Sequence, residues 1–188
     1  MNQYLYSFKI NLSGIKPEIW RRFLVPSDIT LETFHHVIQA VMGWENCHLY
    51  EFSIAEKTYM TDPEKEKNDL DPANYRLMDL GLQTGQTFRY CYDFGDDWNH
   101  ELLLEEDTYI PADHIARTAR CIEGARACPP EDVGGIPGYE DFCEAMADPG
   151  HENHRELKRW YSGTFGGKFD SEKFDLTEIN SKLAAIPV

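Results

Sequence analysis

The chain lacks any apolar run near the ~20 residues that a membrane-spanning helix needs, so a membrane protein of the helical kind is not expected. Its first ten residues, Met-Asn-Gln-Tyr-Leu-Tyr-Ser-Phe-Lys-Ile, show no basic region followed by an apolar stretch. A secretory leader is therefore not expected, and a cytoplasmic location is. Positive charge is scarce: 18 Lys and Arg stand against 33 Asp and Glu, a net charge of −15. Proteins that grip duplex DNA gain affinity by neutralising phosphates with cations. Local patches exist at Arg21-Arg22 and Arg155-Lys158-Arg159, but the global field opposes nucleic acid. Tight duplex DNA binding is not expected. Cysteines are few and odd in number, five in all, which points to reduced thiols rather than a disulfide framework. No internal repeat is evident. Gly134-Gly135-Ile-Pro-Gly138 contains neither Gly-x-Gly-x-x-Gly nor Gly-Lys-Ser/Thr, so it is not a nucleotide loop.

What is present is enough for a real core. The apolar share is 41%, with ten Phe, ten Tyr and four Trp among 188 residues. Such a chain holds one good hydrophobic core. We expect a single domain over 1–188, sheet-rich over 1–108, with an irregular Cys/Pro/Gly loop and helices over 109–188.

Residues 4–13 alternate, which predicts a half-buried strand with Tyr4, Tyr6, Phe8, Ile10 and Leu12 on one face. Gly14 and Pro17 break it, and Ile19 to Val25 predicts a second strand. Thr30 reads as an N-cap, with Thr33 at the capping-box position. Leu31, Phe34, Ile38 and Val41 carry a helix that Gly43 closes. His48 to Ala55 reads as a strand, and residues 61–74 as a polar surface loop. Leu77 to Leu82 suits a helical turn. Thr87–Asp93 and Trp98–Glu105 flank a hairpin turn at Phe94-Gly-Asp-Asp97. Tyr139–Ala147, Glu152–Tyr161 and Leu176–Ala185 read as helical. Partly segregated strands and helices predict an α+β fold with a mixed or antiparallel sheet. The β-β-α-β start resembles a β-grasp arrangement.

Cys121 to Tyr139, Cys-Ile-Glu-Gly-Ala-Arg-Ala-Cys-Pro-Pro-Glu-Asp-Val-Gly-Gly-Ile-Pro-Gly-Tyr, reads as too irregular for helix or strand. A long constrained loop of this kind is commonly a binding loop, a lid or a metal staple. Cys121 and Cys128 are separated by six residues, wider than the Cys-x2-4-Cys of a zinc knuckle. They remain candidate ligands, with His100 and His48 completing the set, for zinc or another divalent transition metal. Structural, inert thiols are the competing reading. Tyr90 to His100 gathers Asp93, Asp96, Asp97 and His100 within one hairpin. Turn chemistry accounts for aspartates there, but an acid/base or metal site would use the same residues. Candidate catalytic groups are Asp93, Asp96, His100, Cys128 and Glu131. Carboxylates beside Cys128 would raise its thiol pKa, which weakens it as a nucleophile.

Several segments carry a resemblance: Gly14-Ile-Lys-Pro-Glu-Ile-Trp-Arg-Arg22, Leu31 through Gly43-Trp44 to His48-Leu-Tyr-Glu-Phe52, Tyr92-Asp-Phe-Gly-Asp-Asp-Trp98 with His100, Cys121 through Gly135 with Gly138-Tyr139, and Phe169-Asp-Ser-Glu-Lys-Phe-Asp-Leu176. On these the chain resembles the plasmid pRiA-type ORF-three-like family, which includes proteins labelled TnpR-like passengers of insertion elements. The resemblance implies a compact α+β domain and a set of focal residues, not a reaction. A serine recombinase needs a nucleophilic Ser among arginines, and Ser13, Ser27, Ser53 and Ser162 have no such setting. The expectation is a cytoplasmic accessory or interaction domain with an unknown protein partner, carrying a structural metal. The alternative is a metal- or thiol-dependent enzyme acting on a small polar substrate.

Overall fold

A computed structural model describes residues 4–61, 69–110 and 118–188. Half of the predicted polar loop over 61–74, residues 62–68, lies outside the described residues. The fold is α+β: a seven-stranded sheet with four helices among the described residues. The strands are β1 (Leu5–Leu12), β2 (Trp20–Pro26), β3 (Tyr50–Ile54), β4 (Lys57–Met60), β5 (Thr87–Tyr92), β6 (Trp98–Tyr109) and β7 (Arg120–Ala125). The helices are α1 (Leu31–Met42), α2 (Gly135–Ala147), α3 (His154–Thr164) and α4 (Leu176–Leu183). Sheet order is β4-β3-β5-β6-β1-β2-β7, and each pairing between these strands is antiparallel. No helix among the described residues is long and apolar enough to cross a membrane.

Helix α1 forms where its signals place it. The Thr30 side chain accepts from the Thr33 amide at 3.1 Å, and Gly43 closes the helix at φ 101°. That left-handed cap is natural for glycine, which has no Cβ to clash. The buried face of α1 sets Phe34 among Phe8, Phe23, Phe52 and Phe88, with ring centroids 5.0–6.5 Å apart. Strand β1 departs from strict alternation. Leu5 and Ser7 are buried while Tyr6 is only half-buried. The register with β6 shifts around Ser7, and this irregularity turns the first residues over relative to Phe8, Ile10 and Leu12. An extra residue in one strand has that effect on every side chain beyond it.

Two corrections concern the Cys/Pro/Gly segment. Arg120–Ala125 is a strand, not irregular chain; it pairs with β2. The Asn180 side chain of α4 caps its edge, accepting from the Cys121 amide at 2.9 Å and donating to the Cys121 carbonyl at 3.0 Å. Helix α2 begins at Gly135, four residues before the expected start at Tyr139, because Pro137 is compatible with a first helical turn.

Arg21 ties these parts together. It is 2% exposed and donates to four carbonyls: Val41 at 2.9 Å, Trp20 at 2.8 Å, Ala125 at 2.7 Å and Arg126 at 2.7 Å. Its guanidinium also lies 5.0 Å over the Phe174 ring. One side chain thus joins the last turn of α1, strand β2 and the end of β7.

Candidate metal centre

Three segments meet at one end of the sheet: the 44–49 connection after α1, the 93–97 turn between β5 and β6, and residues 129–134 before α2. Each is tied to a neighbour by directed hydrogen bonds. The Trp44 indole donates to the Pro129 carbonyl at 3.1 Å, and the Glu45 amide donates to Glu131 Oε1 at 2.9 Å. The Gly134 amide donates to Asp96 Oδ2 at 3.0 Å. The hairpin turn and the Pro/Gly segment therefore lie against each other. Gly135 is needed for that fit: its φ is +67°, and an added Cβ would stand 2.7 Å from the Asp96 carbonyl oxygen. Gly135→Ala is expected to lower unfolding free energy by about 2 kcal/mol, from left-handed strain plus the forced shift. Urea unfolding of the two proteins reads this directly.

A buried polar network sets the 44–49 segment. The Tyr90 hydroxyl accepts from Gln39 Nε2 at 3.0 Å and donates to His35 Nδ1 at 2.8 Å. His35 Nε2–H then donates to Asn46 Oδ1 at 2.6 Å, which makes the imidazole neutral. The Asn46 amide donates to Gln39 Oε1 at 2.9 Å, holding Asn46 at φ 56°. Next along the chain, the Cys47 amide donates to the Tyr92 hydroxyl at 3.0 Å. Tyr92 in turn donates to Glu131 Oε1 at 3.0 Å.

This scaffold brings His48 to a cluster of carboxylates. His48 Nε2 is 3.2 Å from Asp132 Oδ1, 3.6 Å from Asp93 Oδ2 and 3.9 Å from Glu131 Oε2. None of these contacts is aligned as a hydrogen bond, and His48 Nε2 and Glu131 Oε2 are both buried atoms without a hydrogen-bond partner. Buried polar atoms are nearly always paired, so two such atoms facing each other call for an explanation. One ligand atom each from His48, Asp93 and Asp132 lies within 4.8 Å of the others. Around a divalent ion with bonds of ~2.1 Å, tetrahedral neighbours stand about 3.4 Å apart, close to the 3.2 and 3.6 Å found. Glu131 Oε2 stands just outside that group of three.

The backbone aims these side chains. Asp93 and Asp132 both adopt φ 57°, a left-handed conformation that Asp tolerates better than most residues. The Gly95 amide occupies Asp93 Oδ1 at 2.9 Å, leaving Oδ2 for His48. Tyr92 and Glu45 likewise hold Glu131 Oε1, leaving Oε2 free. The Glu131 carboxyl is pushed above its ordinary value by burial, against the lowering effect of those two donors.

The residues singled out in the sequence fall into two sets. His48, Asp93 and Glu131 come together, joined by Asp132, one of the carboxylates beside Cys128. Asp96 serves as the latch to Gly134. His100 is fully buried in the sheet, its Nδ1–H donating to the Tyr90 carbonyl at 3.2 Å. Cys121 lies on β7, separated from β6 by β2 and β1; three strand spacings put it about 14 Å from that strand. No cysteine belongs to the ligand group among the described residues. Burial raises the Cys121 thiol and pushes the Cys128 thiol up to about 11. Cys128 lines a separate cleft of about 390 Å³ with Arg21 and Lys168, which shares Glu131 but not His48, Asp93 or Asp132.

Comparison with known proteins agrees with this architecture. The chain matches the family model described as plasmid pRiA4b ORF-3-like protein over residues 4–178. It is 38% identical over 177 residues to the uncharacterized protein y4hQ of Sinorhizobium fredii, covering 93% of this chain and 88% of that one. It is also similar to the crystal structure of a protein of unknown function, MM3350 from Methanosarcina mazei Go1, with a TM-score of 0.82 and 31% identity. That match covers 95% of this chain and 98% of the other. The chain belongs to the plasmid pRiA4b ORF-3-like family.

Proposed function

We propose that this protein is a divalent-metal-binding accessory domain of the cytoplasm, with His48, Asp93 and Asp132 as ligands and Glu131 beside them. The observation that carries the reading is the pair of buried atoms without a hydrogen-bond partner, His48 Nε2 and Glu131 Oε2, 3.9 Å apart. The imidazole nitrogen favours zinc or iron over magnesium or calcium, while the carboxylates also suit manganese. Two aspartates neutralise a divalent charge, so the assembled unit is neutral, which is what a partly buried site tolerates. The ion would hold together the 44–49 segment, the 93–97 turn and the 129–134 segment. In this reading an unknown protein partner, rather than duplex DNA or a membrane, is the target, and any mobile-element link is genetic context. The β-grasp likeness of the first ~105 residues is part of the same proposal: a hairpin and helix that present the site at one end of the sheet. A metal-dependent enzyme acting on a small polar substrate is the second reading, favoured by the free oxygen of Glu131.

The test is thermal unfolding of chelator-stripped protein with and without zinc or manganese. At a free ion concentration about 1,000 times the dissociation constant, stabilisation is about 4 kcal/mol, a rise of roughly 10 °C for a chain of this size. Asp93→Ala should remove the rise. An unchanged melting temperature at every ion tried contradicts the proposal.

A further inference from the structure

We infer that the centre is a hydrolytic site, in which Glu131 takes the proton from a water on the ion and the substrate is an uncharged carboxylic ester. The inference rests on the metal-binding reading above and deepens it. Three protein ligands with a remaining coordination position are the pattern of catalytic rather than structural zinc. His48, Asp93 and Asp132 supply three. Glu131 does not complete the set in this geometry. Its Oε2 lies 3.9 Å from His48 Nε2, buried and without a hydrogen-bond partner.

A general base must be within reach of the proton it removes and must be oriented by a further group. Glu131 meets both conditions. Its Oε1 is fixed by the Tyr92 hydroxyl at 3.0 Å and the Glu45 amide at 2.9 Å, so only Oε2 is available toward the ion. Tyr92 is itself fixed by the Cys47 amide, one residue before the ligand His48. The residue that would move the proton and the residue that would hold the ion are therefore set by one hydrogen-bonded chain.

The surroundings select the substrate. The neutral unit of ion and two aspartates leaves Glu131 as an excess negative charge. Glu45, Asp96 and Asp97 lie on the same segments of a chain carrying −15 overall. That field disfavours phosphate esters and other anions. Leu49, 41% exposed, directly follows His48 and lines a hollow with it, adding an apolar surface there. Beside His48 a hollow of about 210 Å³ is lined by Glu32, His36, Asn46, Leu49 and Thr61, room for a small acyl or alkyl group.

A divalent ion held by His48, Asp93 and Asp132 would supply a bound water of lowered pKa, a nucleophile available near neutral pH. Glu131 Oε2 accepts the water proton as the oxygen forms a bond to the carbonyl carbon. The carbon–alkoxy bond then breaks, and Glu131 returns the proton to the departing alkoxide. One ester and one water give one carboxylic acid and one alcohol, with no redox change.

The test begins with chelator-stripped protein reloaded with zinc or manganese, with uptake confirmed by elemental analysis, and p-nitrophenyl acetate as the probe. Reloaded wild type is expected to cleave the ester at least ~100-fold faster than stripped protein, the lower range for general acid–base catalysis. Glu131→Gln keeps an oxygen for Tyr92 and Glu45, so it should take up the ion equally and fall to the stripped rate. In the cobalt-loaded wild type, acetohydroxamate should shift the visible absorption bands by entering the remaining position. A loaded Gln variant as fast as wild type, a loaded wild type no faster than stripped protein, or a cobalt spectrum unmoved at saturating hydroxamate would each overturn the inference while leaving metal binding intact. Wild type that takes up no ion overturns the metal reading itself, and the inference with it.

Discussion

Acidification from pH 7 to pH 5 is expected to remove about 4 kcal/mol of folding stability, through two buried imidazoles. His35 is 1% exposed and His100 fully buried. Desolvation brings His35 down to about 3 and His100 down to about 4, from 6.5. A depressed histidine contributes stability that is fully present above its unfolded value and is lost as pH falls. The unfolded chain takes up the proton from about pH 6.5, while the folded chain refuses it until about 4 or 3. Each group then contributes a slope of about 1.4 kcal/mol per pH unit. For His35 the structural reason is explicit: its Nδ1 accepts the Tyr90 hydroxyl, and protonation would set a donor against a donor. Glu131 works in the opposite sense, since burial raises its carboxyl and acid relieves that cost. Two histidines outweigh it. A few kcal/mol is a large share of a domain's net stability, so the urea midpoint should drop sharply below pH 6.5. His35→Gln should flatten the dependence by about half. A midpoint constant between pH 7 and pH 5 would refute the assignment of both imidazoles as neutral.

Arg21→Met is expected to cost about 3–5 kcal/mol, at the upper end of single-residue effects, because four carbonyls lose a charged donor in one buried hydrogen-bond network. Methionine matches much of the volume and keeps contact with Phe174. What is lost is the set of donors to Val41, Trp20, Ala125 and Arg126. Each carbonyl would be left without its partner where water reaches poorly, and unpaired buried acceptors carry the desolvation penalty in full. The Val41 carbonyl also sits in the last turn of α1, where a cation is favoured by the helix dipole. Arg21→Lys should recover little, because an ammonium is a compact point with three donors and lacks the guanidinium's planar fork. Equilibrium unfolding of the three proteins decides it. A lysine variant as stable as wild type would show that charge, not the fork, is what matters.

How much of this was legible in the sequence varies by element. Helix α1 could be read because its cap residues, Thr30 and Gly43, and its apolar spacing agree. The α+β class and the β5–β6 hairpin followed from alternation and turn chemistry. Strand β7 was not legible. Within Cys121–Ala125 only Cys121 is buried, so no alternation is written there, and the strand exists because β2 and Asn180 supply its hydrogen bonds. The reversal at the start of β1 comes from a register irregularity that composition does not encode. For the site, the residue types were visible but their grouping was not. In the sequence His48 groups with the thiolates, and Asp93 and Glu131 with acid/base chemistry. The ligands come from three separate loops, so no fixed spacing marks them. Asp132 had no signal beyond its proximity to Glu131. The cysteines drew attention because thiolates are strong metal ligands, yet Cys121 is 1% exposed and its thiol contacts the Arg22 and Glu123 carbonyls at 3.6 Å.

The most direct measurement is anomalous diffraction from crystals of the stripped protein soaked in zinc or manganese, collected on both sides of the metal's absorption edge. One strong peak is expected within about 2.0–2.2 Å of His48 Nε2, Asp93 Oδ2 and Asp132 Oδ1. A peak on Cys121 or Cys128, or no peak at ion concentrations that saturate ordinary carboxylate–imidazole sites, would contradict it.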